Sequence, residues 1–403
     1  MLQSIKYSDK KKYGDYFRVL REIYENEPVS KLQLKEITRL KYSTLVRIVT
    51  WFLDNHIISV ADNGKSTGGR KPALYGICSD AGYIIGIDIA RMYTKVALMD
   101  FRCNVVKSEV FGMSEESTCN QTIDRICTLI DGFKAGIDHS RILGIGIGVV
   151  GPIDKEKGII ANPVNFLGSG WEFVSLKAYF KEKTGLPVFV DNGVNTAALA
   201  EYRSLDVKGV SLLAYVTAGI GQRLGIIYNG KLLNNSGRDE GSFGHVTVEK
   251  NGRPCYCGNT GCLEAYASIP SVMDRFKDEI RNGRRSSLLE KADFDLSTVT
   301  FDMFCQAVEE NDELANEMIN SAADHFSTAI ADMVKIFNPE IVVLGGPFIQ
   351  KCKKFFLLTI QLTKAKIQFY TLSNTVFNAG NLTDHAAVVG AGYLVLDHFL
   401  YFN

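Results

Sequence analysis

Three cysteines, Cys255, Cys257 and Cys262, fall within eight positions of the segment GHVTVEKNGRPCYCGNTGCLEAYAS, and no other feature of the 403-residue chain restricts its folding as tightly. Gly258, Asn259 and Gly261 permit the tight turns needed to draw the thiols together. His245 lies upstream in the same segment. Three thiolates and one imidazole make a closed zinc site, structural rather than catalytic because no position stays open for water or substrate. The alternative is a loop holding three unligated thiols. Nine cysteines without an export signal at the start, MLQSIKYSDKKKYGDYF, point to reduced thiols or metal ligands and not to a disulfide framework. The expected compartment is the cytoplasm. Closing the cluster would clip His245 to the start of the helix that carries Glu264 and turn both toward one cleft.

The knuckle sits in a long α/β body. YIIGIDIARMYTKVALMDF reads as strand, tight turn, strand. LGIGIGVVGPID, LPVFVDN, LLAYVTAGIG and IVVLGG read as further strands that end in polar or Gly-rich loops. Helical patterns lie between them, at Asn120 to Ala135, Val174 to Thr184 and Leu314 to Phe337. That alternation predicts an α/β fold with ligands bound at strand ends. No internal repeat is visible. At 46% hydrophobic and 22% charged residues, the chain can bury a large core, and runs such as Ile341 to Leu344 are far short of a membrane span.

The first 75 residues differ from the rest. They carry 14 Lys+Arg against 8 Asp+Glu, while the remainder carries 31 against 37. Tyr16, Phe17, Val19, Leu20, Ile23 and Tyr24 recur at helical spacing up to Glu27-Pro28. Ser30 can cap a short second helix with Leu32, Leu34 and Ile37. After the turn Arg39-Leu40-Lys41, Ser43 can cap a third helix that buries Leu45, Ile48, Val49, Phe52 and Leu53. This order is a helix-turn-helix, whose last helix enters the DNA major groove at its start. Ser43, Thr44 and Arg47 fall there, and Lys41 is placed for a phosphate. Ile57 to Val60, Asp62-Asn63-Gly64 and GKSTGGRKPALYGI read as a two-stranded wing that offers Arg70 and Lys71 to the backbone or minor groove. The competing reading is a protein-interaction module with solvated basic residues.

Taken together, IGIDIARMYTKVAL, IGIGVVGPID, GSGW, PVFVDNGVNTAALAE, VTAGIGQRLGIIYNGKL, GHV, CYCGNTGCLEAYAS and NPEIVVLGG resemble the ROK family of sugar kinases and sugar-responsive repressors over essentially the whole length. The head with GGRKP resembles that of the family's repressors. The resemblance implies a winged helix-turn-helix domain (1–76) and a two-lobed actin-like sugar-kinase body. The small lobe would span 77–198, joined by a C-terminal helix from about 386 to 403, and the large lobe with the zinc site 199–385. It further implies a sugar site that includes Asn192, His245 and Glu264, with His245 shared with the metal set Cys255, Cys257 and Cys262.

The kinase machinery departs from the family pattern. The first phosphate turn, Asp-x-Gly-Gly-Thr in kinases, is Asp88-Ile89-Ala90-Arg91-Met92. The second, Gly-Thr-Gly-Ile-Gly-x-Gly, is Gly219-Ile220-Gly221-Gln222-Arg223-Leu224-Gly225, so an arginine replaces a glycine and ATP binding is expected to be lost; the alternative is that Arg91 and Arg223 still bind an anion. The catalytic Asp that follows Asn is Gly193, which cannot take a proton. Asp191 and Ser242 are possible helpers in the sugar site. The expectation is a transcriptional repressor, not an enzyme, with no catalytic residues and no ATP bound. Its partners would be a double-stranded DNA operator, a sugar or sugar derivative as effector, and a second or further copies in a homodimer or homotetramer, with no membrane. The alternative is a sugar kinase with a fused DNA-binding head.

Overall fold

Alternating glycines set the architecture of the first sheet. In strand β7 (Ile142–Val149), Ile145, Ile147 and Val149 face a core shared with Ile123, Ile126 and Ile130 of the helix Cys119–Lys134. Gly144, Gly146 and Gly148 fall on the opposite face, as a two-residue period requires. There the C-terminal helix Ala386–Leu400 lies almost on the backbone. A Cβ on Gly146 would stand 1.7 Å from the Ala391 carbonyl oxygen, and one on Gly86 would stand 2.4 Å from that of Val388.

The computed structural model describes residues 10–63, 72–163, 166–205, 209–233, 242–292, 295–368 and 375–401. The chain divides into two compact units, Met1–Thr196 with Ala387–Asn403, and Ala197–Ala386. The boundary falls inside the helix Gly193–Ser204.

The first unit begins with the head helices Lys10–Asn26, Lys31–Thr38 and Tyr42–Asp54. Val19, Leu20, Ile23, Leu34, Leu45, Ile48, Val49 and Phe52 form its buried core. Of the expected apolar side of the second helix only Leu34 is buried; Leu32 and Ile37 are exposed. The wing belongs to a three-stranded antiparallel sheet rather than to a two-stranded ribbon. Strand β1 (Val29–Ser30) pairs with β3 (Ala73–Ile77), which pairs with β2 (Ile58–Asn63). Two residues are too few to show a period, so β1 is silent in the sequence.

The head packs within the same unit as the first lobe. Phe17 meets Phe399 edge-on at 5.4 Å between ring centres, Phe101 meets Phe399 at 6.0 Å, and Tyr24 meets Phe101 at 6.3 Å. Glu27 pairs with Arg102 at 2.8 Å and accepts the Ile77 N–H at 2.6 Å. The Tyr401 hydroxyl donates to Glu25.

The main sheet of this unit has the order β11-β7-β4-β5-β6, with β4 at Tyr83–Ile89, β5 at Tyr93–Asp100, β6 at Val105–Gly112 and β11 at Val188–Asn192. A small sheet joins β8 (Ile153–Asp154), β9 (Ile159–Ile160) and β10 (Val174–Ser175). The second unit repeats the larger pattern as β14-β13-β12-β15-β16, formed by Leu212–Ala218 (β12), Gln222–Tyr228 (β13), Lys231–Leu232 (β14), Ile341–Gly345 (β15) and Val376–Asn378 (β16). In both sheets the first three strands in chain order are antiparallel and the last two add in parallel. The repeat absent from the sequence is therefore present in the topology. The helices Glu313–Phe337 and Lys353–Ile367 cover the second sheet's core, with Phe355 stacked on Phe348 and Phe326.

The glycine face yields a paired expectation. Gly146→Ala should lower unfolding free energy by about 3 kcal/mol or more through overpacking against Ala391. Gly132→Ala, exposed in the helix Cys119–Lys134 with open space around its missing Cβ, should raise it by about 0.5–1 kcal/mol. Urea denaturation of both variants checks the sign difference.

Candidate functional site

The start of the third head helix is built without a side-chain cap. Ser30 and Gln33 form a full capping box for the second helix. The third begins instead at Tyr42, with Lys41 extended in the cap position and making no side-chain cap bond. Ser43 is thus the second helical residue and not its cap, because the first intrahelical bond already runs from Leu45 N–H to the Lys41 carbonyl. The N–H groups of Tyr42, Ser43 and Thr44 precede that bond and lack an intrahelical acceptor. A helix start of this kind is suited to a phosphate oxygen. Lys41, Ser43 and Arg47 are exposed and Thr44 is half-buried. Arg70 and Lys71 lie outside the described residues.

In the second unit, His245, Cys255, Cys257 and Cys262 converge, and their ligand atoms all lie within 4.8 Å of one another. Cys257 Sγ and Cys262 Sγ are 3.7 Å apart, and Cys255 Sγ is 3.6 Å from His245 Nδ1. A tetrahedron with metal–sulfur bonds of about 2.3 Å has edges of about 3.8 Å, so these four residues can hold a metal ion. The loop closes through Cys255 N–H to the Asn259 carbonyl (2.8 Å), Gly261 N–H to the Arg253 carbonyl (2.7 Å) and Val248 N–H to the Gly261 carbonyl (2.9 Å). Gly261 has φ +75°, and a Cβ there would stand 1.8 Å from the Glu249 carbonyl oxygen.

Two residues beyond Cys262, buried Glu264 opens a short helix, Glu264–Ala267. Its Oε1 accepts the Gln222 backbone N–H at 2.9 Å and Arg223 Nη1 at 2.9 Å. Its Oε2 accepts the Tyr256 hydroxyl at 2.6 Å and lies 4.0 Å from His245 Nε2. The Tyr256 hydroxyl is itself 3.4 Å from His245 Nε2. Sequence reasoning singled out Arg223 as a lost glycine, with anion binding as the alternative, and it passed over Tyr256. The spacing Cys-Tyr-Cys was a usable signal, since a residue between two clustered cysteines is held beside their partner histidine.

Asn192 lies in the first unit. Beside it, Asp191 pairs with Lys155 at 3.2 Å and accepts Asn195 Nδ2 at 2.8 Å and the Asn192 N–H at 2.6 Å. A Cβ on Gly193 would meet only Asp88 Oδ1, at 3.8 Å. Packing therefore leaves room for a side chain at Gly193. Buried Asp88 accepts the Tyr93 hydroxyl at 2.9 Å. Burial pushes its carboxyl up to about 6, against the opposing pull of Tyr93 and Lys95. The turn beyond it leaves Arg91 half-buried and Met92 exposed. Among the described residues, no helix is long and apolar enough to cross a membrane.

The ROK family model matches residues 84–398. The xylose repressor of Caldicellulosiruptor bescii is 30% identical over 95% of this chain and 96% of its own length. A crystal structure of a ROK family transcriptional regulator, a homologue of the E. coli MLC protein, aligns with a TM-score of 0.78 at 24% identity, covering 98% of this chain and 97% of that one. A ROK family glucokinase from Streptomyces griseus, solved with glucose and AMPPNP, aligns with a TM-score of 0.65 at 24% identity, covering 78% of this chain and 99% of that one.

Two outcomes follow from this geometry. Gly261→Ala should open the knuckle, so that buried Cys262 reacts in a native thiol titration and bound metal, read by elemental analysis, falls. Asp88 binds its proton more tightly folded than unfolded, so its contribution to stability is full below about pH 4 and is lost as pH rises through about 6. Asp88→Asn should flatten the pH dependence of unfolding over that window.

Proposed function

The chain belongs to the ROK family, and from that premise we propose that it is a DNA-binding transcriptional repressor whose body senses a sugar or sugar derivative without phosphorylating it. The observation that carries this reading is Gly193. Its position has room for a side chain, yet it holds none to take a proton from a sugar hydroxyl. Arg223 further supports it, because a bulky cation paired with Glu264 replaces a glycine of the second phosphate loop. The repressor name of the bescii relative, which the chain matches along its length, agrees with a head that presents Lys41, Ser43, Thr44 and Arg47 at an uncapped helix start. Arg70 and Lys71 of the wing would add backbone or minor-groove contacts.

Zinc is the metal that the donor set fits best, held by His245, Cys255, Cys257 and Cys262. With four protein ligands it would supply no chemistry beyond holding the loop closed. Asn192, His245 and Glu264 are the residues this reading takes as sugar contacts, on the family resemblance of the segments that carry them. Effector binding shifts operator affinity only by its differential affinity for the two states of the protein. In a homodimer or homotetramer, that shift would act on the spacing of paired heads relative to two half-sites. Phe17 and Tyr24 of the first head helix meet Phe399 and Phe101, and Tyr16 of the same helix packs on Trp51 and Phe52 of the third, which gives such a shift a path to the helix proposed to meet DNA.

Fluorescence anisotropy with DNA from upstream of the protein's own gene, titrated across salt against unrelated competitor DNA, tests the reading. The expected result is specific binding with a steep negative salt slope. Arg47→Ala should weaken the specific complex by about 1–3 kcal/mol and relax specificity at one position, whereas Lys41→Ala should weaken all sequences alike and reduce the salt slope by about 1. Absence of specific binding at low salt, together with ATP turnover on a sugar, overturns it.

A further inference from the structure

We propose that the effector is an acidic sugar carrying a carboxylate, and that Arg223 is the residue that selects it. The inference rests on the sugar-sensing reading above and deepens it. A neutral sugar is held through hydroxyls that both donate and accept, and each buried O–H needs an acceptor of its own. Glu264 is the buried acceptor of the half-site in the second unit, and it is already engaged by three donors: the Gln222 N–H, Arg223 Nη1 and the Tyr256 hydroxyl. An ionised carboxylate offers about four acceptor positions, so roughly one remains for a ligand. The half-site has lost most of its capacity to accept.

It has gained donors in exchange. The Arg223 side chain is 16% exposed, so it reaches solvent without lying free on the surface. Nη1 donates to Glu264 Oε1 and to the Gln222 carbonyl, and Tyr256 is a further side-chain partner of the guanidinium. Nε and Nη2 form the other edge of the planar guanidinium, the edge that grips a carboxylate through two parallel bonds. Charge points the same way. With glycine at position 223, the buried Glu264 would repel an anion; with arginine the pair is neutral and one further negative charge is tolerated. A phosphate monoester, at about −1.5 to −2, would bring up to twice the charge of a carboxylate to a pair whose guanidinium Glu264 already offsets. That favours the carboxylate.

The test uses the full-length protein. Calorimetry compares D-glucuronate with D-glucose and D-galacturonate with D-galactose, with glucose 6-phosphate as the phosphate arm, and each sugar is also scored for release of operator DNA. The expected result is that the acids bind at least about tenfold more tightly than their neutral counterparts, the size of a charge-assisted pair. Arg223→Gln should bring each acid to within about twofold of its neutral partner. If that variant does not fold, Arg223→Lys, which keeps a charge beside Glu264 and loses the fork, should still reduce the preference severalfold. Neutral sugars binding the wild type as tightly as the acids overturn the proposal and leave the sugar-sensing reading intact. So does glucose 6-phosphate binding more tightly than glucuronate, or an acid preference that survives both variants. Specific operator binding that no sugar alters, with no sugar bound, overturns the sensing reading itself and the proposal with it.

Discussion

The contact on which the first unit depends is the one between its sheet and a helix from the far end of the chain. Gly86 and Gly146 strip two central strands of side chains, and the helix Ala386–Leu400 settles there with its carbonyls where Cβ atoms would otherwise stand. Close backbone approach lets the two layers meet there without large side chains. Gly390, on the helix itself, comes equally close to the Thr196 carbonyl oxygen, 1.7 Å from where its Cβ would be. The consequence reaches the head. Phe399, at the end of this helix, packs edge-on against Phe17 and Phe101, and Tyr401 reaches Glu25. The position of the first head helix is thus tied to a segment nearly four hundred residues away in sequence.

The second unit is organised by polar constraint where the first is organised by packing. A knuckle that gathers His245 with three cysteines brings His245 to the edge of Glu264, and backbone bonds across Gly261 hold the loop in that shape. Glu264 is buried, and a buried carboxylate must be paired or hydrogen-bonded. Here it is both, through Arg223, the Gln222 N–H and the Tyr256 hydroxyl. The arginine that stands where the family's kinases carry a glycine is therefore also the charge partner of Glu264. Asp191 is balanced in a comparable way by Lys155 within the first unit.

Much of this was legible in the sequence because it is local. The head helices, the capping role of Ser30, the long helix that ends at Phe337 and the strand cores follow from periods and caps within windows of ten to twenty residues. The cysteine cluster was legible because its spacing leaves the thiols few places to go. Failures came where a local signal was ambiguous or absent. Ser43 has the chemistry of a cap, but the helix starts one residue before it and uses Lys41 in that position. Strand β1 has two residues and no period.

What the sequence determined by itself is the main helices and strands, the order in which they come, the clustering of His245 with Cys255, Cys257 and Cys262, and the missing side chain at Gly193, each a matter of residue type and short-range spacing. What only the tertiary structure decided are relations between distant segments. The duplicated strand order of the two sheets, the glycine face beneath the C-terminal helix, and the pairing of Arg223 with Glu264 across 41 positions leave no periodic trace. The physical reason is that each depends on which surfaces meet. Hydrophobic period and propensity specify that a face must be buried, and close approach and charge pairing, which act only once segments are in contact, specify against what.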